Sequence, residues 1–178
     1  MIVYHVGIRT SEDYLARREA HRRHHLERLQ GLRAMGILIA GGPSPDGTGA
    51  DLVYRLQQPG QLKHAIEEDP YWTAGAWTGY DSRSFAQFVE PWEMPPVVVD
   101  GSRPTTIVEG ATNDHDMAQL ALIEMRGAGR IHFGGFFEDG TVLALANTPD
   151  AVTALGWFGE TGCWNAETLR ARPYLHVL

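Results

Sequence analysis

Cysteine is almost missing from this chain of 178 residues. Cys163 is its one thiol, so no intramolecular disulfide can form and nothing calls for an oxidising compartment. Positive charge is also in short supply. A net charge of −7 disfavours a nucleic-acid partner, since phosphate binding needs a surplus of Lys and Arg on one face. The arginines of the run Arg17 to Arg33 (Arg17, Arg18, Arg22, Arg23, Arg28, Arg33) spread around a helix and are interrupted by Glu19 and Glu27. No apolar stretch is long enough to span a bilayer. The start, Met1 to Val6, reads as a strand, lacking the basic end, long apolar run and cleavage site of a signal peptide. No phosphate-binding loop is present either, because Gly41-Gly42-Pro43 precedes no Lys-Ser/Thr pair. These absences lead to the expectation of a soluble, cytoplasmic protein with neither a nucleic-acid nor a membrane partner.

What remains is ample material for a core. Hydrophobic residues make up 43% and charged ones 21%, a balance that favours a folded chain over disorder. Five Trp, six Tyr and six Phe supply large rings for a core or for the walls of an apolar pocket.

The clearest internal signal is a repeat. Gly36-Ile37-Leu38-Ile39-Ala40-Gly41-Gly42, followed by Asp46-Gly47, returns 93 positions later as Gly129-Arg130-Ile131-His132-Phe133-Gly134-Gly135, followed by Asp139-Gly140. Pro59 then matches Pro149 after a three-residue deletion. Each Gly-Gly closes a short β-prone run and each Asp-Gly is a hairpin turn. An ordered set of matches at one offset points to duplication.

Each copy reads strand, helix, strand, strand, helix, strand. In the first the elements are expected over Ile2–Ile8, Glu12–Met35, Ile37–Ala40, Leu52–Leu56, Gln61–Glu68 and Ser82–Phe88. In the second they are expected over Thr105–Glu109, Asp114–Gly127, Arg130–Phe133, Val142–Ala146, Asp150–Phe158 and Pro173–Val177. The order βαββαβ is the ferredoxin-like arrangement, an α+β class with two helices on one face of a four-stranded antiparallel sheet. The bare sheet face needs cover. Two such domains in one chain can cover each other, giving a pseudo-dimeric α/β barrel. The expected division is domain 1–92, a proline-rich linker 93–104 and domain 105–178; prolines 91, 95, 96 and 104 with Asp100-Gly101 disfavour regular structure between the copies.

Two residues stand out for chemistry. At about 100° per residue, Arg18, His25, Leu29, Leu32 and Gly36 fall on one helical stripe. His25 therefore lies among residues that face the sheet, whereas Arg23 and Glu27 point to solvent. A core histidine bonded to a backbone carbonyl is one reading of it; a functional imidazole with a charged partner is the other. Glu67-Glu68-Asp69-Pro70 places three carboxylates at the end of the second helix, where the macrodipole disfavours negative charge. Pro70 pushes Asp69 out of helical geometry, ahead of Tyr71-Trp72.

These positions carry a resemblance. Arg22-x-x-His25-Leu26-x-x-Leu29, Gly36-Ile37-Leu38 with Ala40-Gly41-Gly42-Pro43, and Asp69-Pro70-Tyr71-x-x-Ala74-Gly75 resemble, in that order, the YCII-related (YciI-like) family of the dimeric α/β-barrel superfamily. The likeness covers roughly residues 1–90. It implies that His25 and Asp69 share a pocket as the proposed catalytic pair, and that relatives include a dehydrochlorinase of a chlorinated hydroxyhydroquinone. The family carries one Gly before the Pro where this chain has two. The second copy carries Ala118 where the first has His25, and Gly159-Glu160-Thr161 near the place of Asp69-Pro70-Tyr71. One site per chain is expected, with the second copy a degenerate scaffold.

An imidazole held by a carboxylate has its tautomer set and its second nitrogen ready for proton transfer. That suits abstraction of a proton from carbon or a phenolic oxygen, followed by elimination or isomerisation, on a small cyclic or aromatic metabolite. Ser44, Thr73 and Cys163 sit in no activated setting, so acyl transfer is not expected. Arg22, one turn before His25, would hold an anionic oxygen, and Tyr71, Trp72 and Trp77 would line an aromatic pocket. No cofactor is implied. His21 and His25 have a chelating spacing, with His5, His24 and His64 as further ligands, but no Glu follows His21 and no cysteine cluster exists, so no metal is assigned. The alternative class is a binding or accessory protein with the same pocket and no turnover. A further homodimer of the whole chain stays open.

Overall fold

The computed structural model describes residues 1–178, the side chain of Gln87 apart. The chain falls into two compact units: Met1–Ser84 with Pro96–Asp100 and His176–Leu178, and Phe85–Pro95 with Gly101–Leu175. The segment 93–104 is thus shared between them.

The first unit begins with β1 (Ile2–Thr10), then α1 (Tyr14–Glu19), α2 (Arg22–Ala34), β2 (Leu38–Pro43), β3 (Gly49–Leu56), α3 (Gln61–Glu67), α4 (Pro70–Thr73) and β4 (Trp77–Val89), whose last residues belong to the second unit. Its strands are ordered β2-β3-β1-β4. Register explains which side chains meet. Val6 lies opposite Leu52, Tyr4 opposite Tyr54 and Ile8 opposite Ala50. With alternation of period two, Val6, Ile8, Leu52, Tyr54 and Leu56 share one face. They pack with Leu29 and Leu32 of α2 and with Leu62, Ala65 and Ile66 of α3 into one core. On the edge, Leu178 N–H and Val177 N–H donate to Gly41 O, and Gly41 N–H to Leu178 O, which covers β2.

The expected helix Glu12–Met35 is broken at Ala20-His21 into α1 and α2. Leu15, Ala16, Arg17, Glu19 and Ala20 are all exposed. A helix that buries little gains little from staying straight. A further element missed by the pattern is α4, four residues started by Asp69 and Pro70. Strand β4 also begins at Trp77 rather than Ser82. Thr78, Gly79 and Asp81 blur the alternation there, and the strand is held by pairing to β1 rather than by its own pattern.

The second unit holds β5 (Pro104–Ala111), α5 (His115–Gly127), β6 (Ile131–Phe137), β7 (Thr141–Ala146), α6 (Ala151–Gly159) and β8 (Arg170–Leu175). Its strand order β6-β7-β5-β8 is that of β2-β3-β1-β4. Val108, Leu122, Met125, Phe136, Val142 and Phe158 form its core. Both units are α+β with antiparallel pairing. Among the described residues no helix is long and apolar enough to cross a membrane.

Candidate functional site

Helix α2 presents His25 from the face that also buries Leu29 and Leu32, as i, i+4 and i+7 spacing requires. The ring is buried, its side chain only 9% exposed. Its Nδ1 lies 2.8 Å from Asp69 Oδ1.

Asp69 is fully buried. It does not sit as a misplaced charge at the end of α3. Its extended backbone (ψ 138°) opens α4, and Oδ1 accepts the Tyr71 backbone N–H at 2.8 Å. The carboxylate is an N-cap, at the end of a helix that favours negative charge, and Pro70 occupies the first helical position without wasting a donor. The two other acids follow the solvated reading. Glu68 meets Arg28 and His64 at the surface, and Glu67 accepts from the Tyr80 hydroxyl.

A carboxylate can only accept hydrogen bonds. With Oδ1 against Nδ1, the imidazole proton belongs on Nδ1, which leaves Nε2 as the basic nitrogen. Tyr71, fixed by the turn that the N-cap creates, stacks on the imidazole at 3.7 Å with an 11° interplanar angle. Trp77 meets the same ring edge-on at 5.3 Å and Tyr71 at 5.8 Å. Tyr14 of α1 lies edge-on to Tyr71 at 5.9 Å, and the Arg18 guanidinium sits 5.3 Å from the Tyr14 ring. Burial pushes the acid constants of Tyr14 and Tyr71 up, while the nearby Arg18 and Arg22 pull them back. Both phenols stay neutral, set between the positive charges of Arg18 and Arg22 and the negative charge of Asp69.

The structure therefore gathers His25, Asp69, Tyr71 and Trp77 into one cluster. Arg22 is placed differently: one of its N–H groups donates to Val99 O at 3.1 Å. Trp72 is half-buried, and its ring contact is with Tyr80 at 5.5 Å. Tyr14 and Tyr54 were not legible as site neighbours, whereas Arg18 already fell on the helical stripe of His25. Tyr14 precedes His25 by about three helical turns, a spacing that could have signalled a shared face. Tyr54 carries no signal beyond its place in an alternating strand.

A second buried pair lies on the other face of the same sheet. His5 Nε2 is 2.7 Å from Asp51 Oδ1, and the register places Asp51 diagonally across from His5. Among the described residues no three His, Cys, Asp or Glu side chains converge as a metal site. His21 stands at the N-terminal boundary of α2 without a side-chain capping bond, while His25 turns inward to Asp69. The second unit has an open cleft of about 300 Å³ whose described lining residues, Ala86, Phe88, Gln119, Leu122 and Phe136, include no ionisable group.

Residues 2–86 match the family model of the YCII-related domain. Comparison with curated proteins gives no match. Among solved structures, a monooxygenase candidate from Lactobacillus acidophilus is similar over 99% of this chain and 94% of its own, at 9% identity and TM-score 0.61. A heme-binding protein from Thermus thermophilus is similar over 99% of this chain and 92% of its own, at 10% identity and TM-score 0.54. At such identities these likenesses speak for the fold alone. A 5-chloro-2-hydroxyhydroquinone dehydrochlorinase from Burkholderia phenoliruptrix, complexed with 2,5-dihydroxybenzoquinone, is 21% identical over 51% of this chain and 93% of its own, with TM-score 0.41. That alignment is too loose to carry an argument.

Proposed function

We propose that the YCII-related half of this chain binds a small cyclic or aromatic metabolite and moves a proton on it. His25 Nε2 takes a proton from carbon or from a phenolic oxygen, and the imidazolium is stabilised by Asp69 through Nδ1–H. The electron pair left on the substrate then expels a leaving group such as chloride, or relocates and is reprotonated by the same nitrogen. These are lyase and isomerase outcomes of one first step. Tyr71 and Trp77 form ring walls, with Trp72 at their margin. Arg22 keeps guanidinium donors beyond the one on Val99 O for an anionic oxygen.

The carrying observation is the buried His25–Asp69 contact of 2.8 Å under a stacked Tyr71. Low dielectric makes such a pair costly unless it is fully oriented. The test is a screen of chlorinated hydroxyquinols and small enolisable lactones for product. Turnover is expected and is lost in His25→Ala; turnover unchanged in that variant overturns the assignment. One observation favours a second reading, binding without turnover: the His25 side chain is nearly closed off. That reading expects the same compounds to bind, unconverted, with and without the imidazole.

The second unit is read as a diverged duplicate. Helices α2 and α5 have 13 residues each at the same offset. Gly36 and Gly129 leave them with φ of 70° and 71°, and Gly47 and Gly140 turn with φ of 74° and 78°. In such a chain one polypeptide stands where a single-domain relative would need two, with Ala118 in place of a second His25.

A further inference from the structure

We propose that Tyr71, beyond its part in the wall, is a positioning residue for His25: its ring face holds the imidazole plane and stabilises the imidazolium that forms when Nε2 takes the substrate proton. The inference deepens the proton-transfer reading and rests on it.

The phenol and the imidazole lie nearly parallel, at an interplanar angle of 11° with their centroids 3.7 Å apart. That is van der Waals contact, so no ligand ring enters between them. Tyr71 is only 3% exposed. Trp77 crosses both rings near right angles, at 86° and 83°, and Tyr14 crosses Tyr71 at 89°. The phenol therefore has little surface left for a ligand, while one of its faces belongs to His25.

Two constraints meet on the one base. Asp69 Oδ1 lies 2.8 Å from Nδ1, which stops the imidazole from turning within its own plane. The same oxygen accepts the Tyr71 backbone N–H at 2.8 Å, and the stacked phenol stops the imidazole from tilting out of that plane. A single carboxylate atom thus ties the base to its stacking partner, and the direction of Nε2 follows.

The stack also acts on charge. An aromatic face is negative and attracts a cation lying over it within about 6 Å, more strongly where water is kept away. Neutral imidazole gains little from this, and imidazolium gains it in full. Arg18 and Arg22 put positive charge around Tyr71, which disfavours a further cation beside them. Asp69 and the phenol face offset it. Arg28 turns away to His64 O and Glu68. Tyr14 from α1 and Tyr54 from β3 are held protonated by burial, as Tyr71 is, and the arginines stay charged. These phenols and arginines do not titrate along with the imidazole.

The experiment uses the whole chain, ¹⁵N-labelled at histidine, with Tyr71→Phe and then mono-, di- and trifluorinated phenylalanine at the same position. Fluorine drains the ring face of negative charge and nearly keeps its shape. The ¹⁵N shifts of the His25 ring are followed against pH. Tyr71→Phe is expected to hold the proton affinity of the ring within about twofold, because the face remains. Along the fluorinated series the affinity falls stepwise, about tenfold in all, or about 1 pH unit in the midpoint. The same series at Tyr80, whose ring meets Trp72, leaves His25 unmoved. A midpoint that stays put along the series, with the Nδ1–H signal intact, overturns the role of Tyr71 and spares the His25–Asp69 pair. An equal shift from the Tyr80 series also overturns it. A stepwise fall with no turnover of any screened compound upholds the stack while the functional reading fails. Loss of the Nδ1–H signal from the unsubstituted chain removes both.

Discussion

Replacing Asp69 by alanine and by asparagine separates what its charge does from what its Oδ1 does. Alanine removes the N-cap of α4, worth about 1 kcal/mol, because the Tyr71 N–H loses its acceptor. It also strands the buried His25 Nδ1–H, whose bond to a charged group is worth about 1.5–3 kcal/mol. Against this, the unpartnered Oδ2 disappears with the carboxylate, which returns about 1 kcal/mol. The net expectation for Asp69→Ala is a loss of about 1.5–3 kcal/mol. Asparagine keeps an oxygen at the Oδ1 position, and with it both the cap and an acceptor for Nδ1–H. It gives up charge assistance but no longer buries a charge. Asp69→Asn is therefore expected within about 1 kcal/mol of the unsubstituted chain. Urea unfolding followed by tryptophan fluorescence measures the difference, with hydrogen exchange at the Tyr71 amide as a local readout, since two units need not unfold together. Equal losses in the two variants, or an alanine variant as stable as its parent, would refute the reasoning.

Tyr54 and Tyr71 have acid constants pushed well above the ordinary value of 10.0 by burial, and Tyr14 is raised for the same reason. In the unfolded chain these phenols ionise near that value, so the native state retains protons that the unfolded state has lost above it. The stability they contribute is full below about pH 10 and falls as pH rises further. An alkaline absorbance titration of the six tyrosines is expected to show these three ionising only as the chain unfolds; one step for all six near pH 10 in a still-folded chain contradicts it. Gly49→Ala is expected to cost about 1–3 kcal/mol in denaturant unfolding, since its Cβ would come within 2.8 Å of Ile8 O in the β1–β3 ladder, where backbone cannot yield. Gly7→Ala on the neighbouring strand meets nothing within 4 Å and is expected to be near neutral; equal effects at the two positions would refute the steric account.

Local pattern carried much of this fold into view. The turn glycines, the 3.6-residue stripe of α2 and the Asp69-Pro70 step each concern neighbours a few residues apart, and α2 does bury His25, Leu29 and Leu32 together. The repeat was visible for the same reason, since Gly36 and Gly129 answer the same local demand for positive φ. The helix break at Ala20-His21 escaped because it depends on what the helix packs against, not on propensity. The placement of Asp69 at a helix start rather than a helix end turned on one dihedral beyond α3. Tyr71 on the imidazole and Tyr54 within reach of the Asp69 charge depend on strand register and on how α2 and α4 meet the sheet. Those are long-range facts. A period of two names the side of a strand that a tyrosine occupies, but the group waiting there comes from another stretch of chain, brought in by packing that no local window contains.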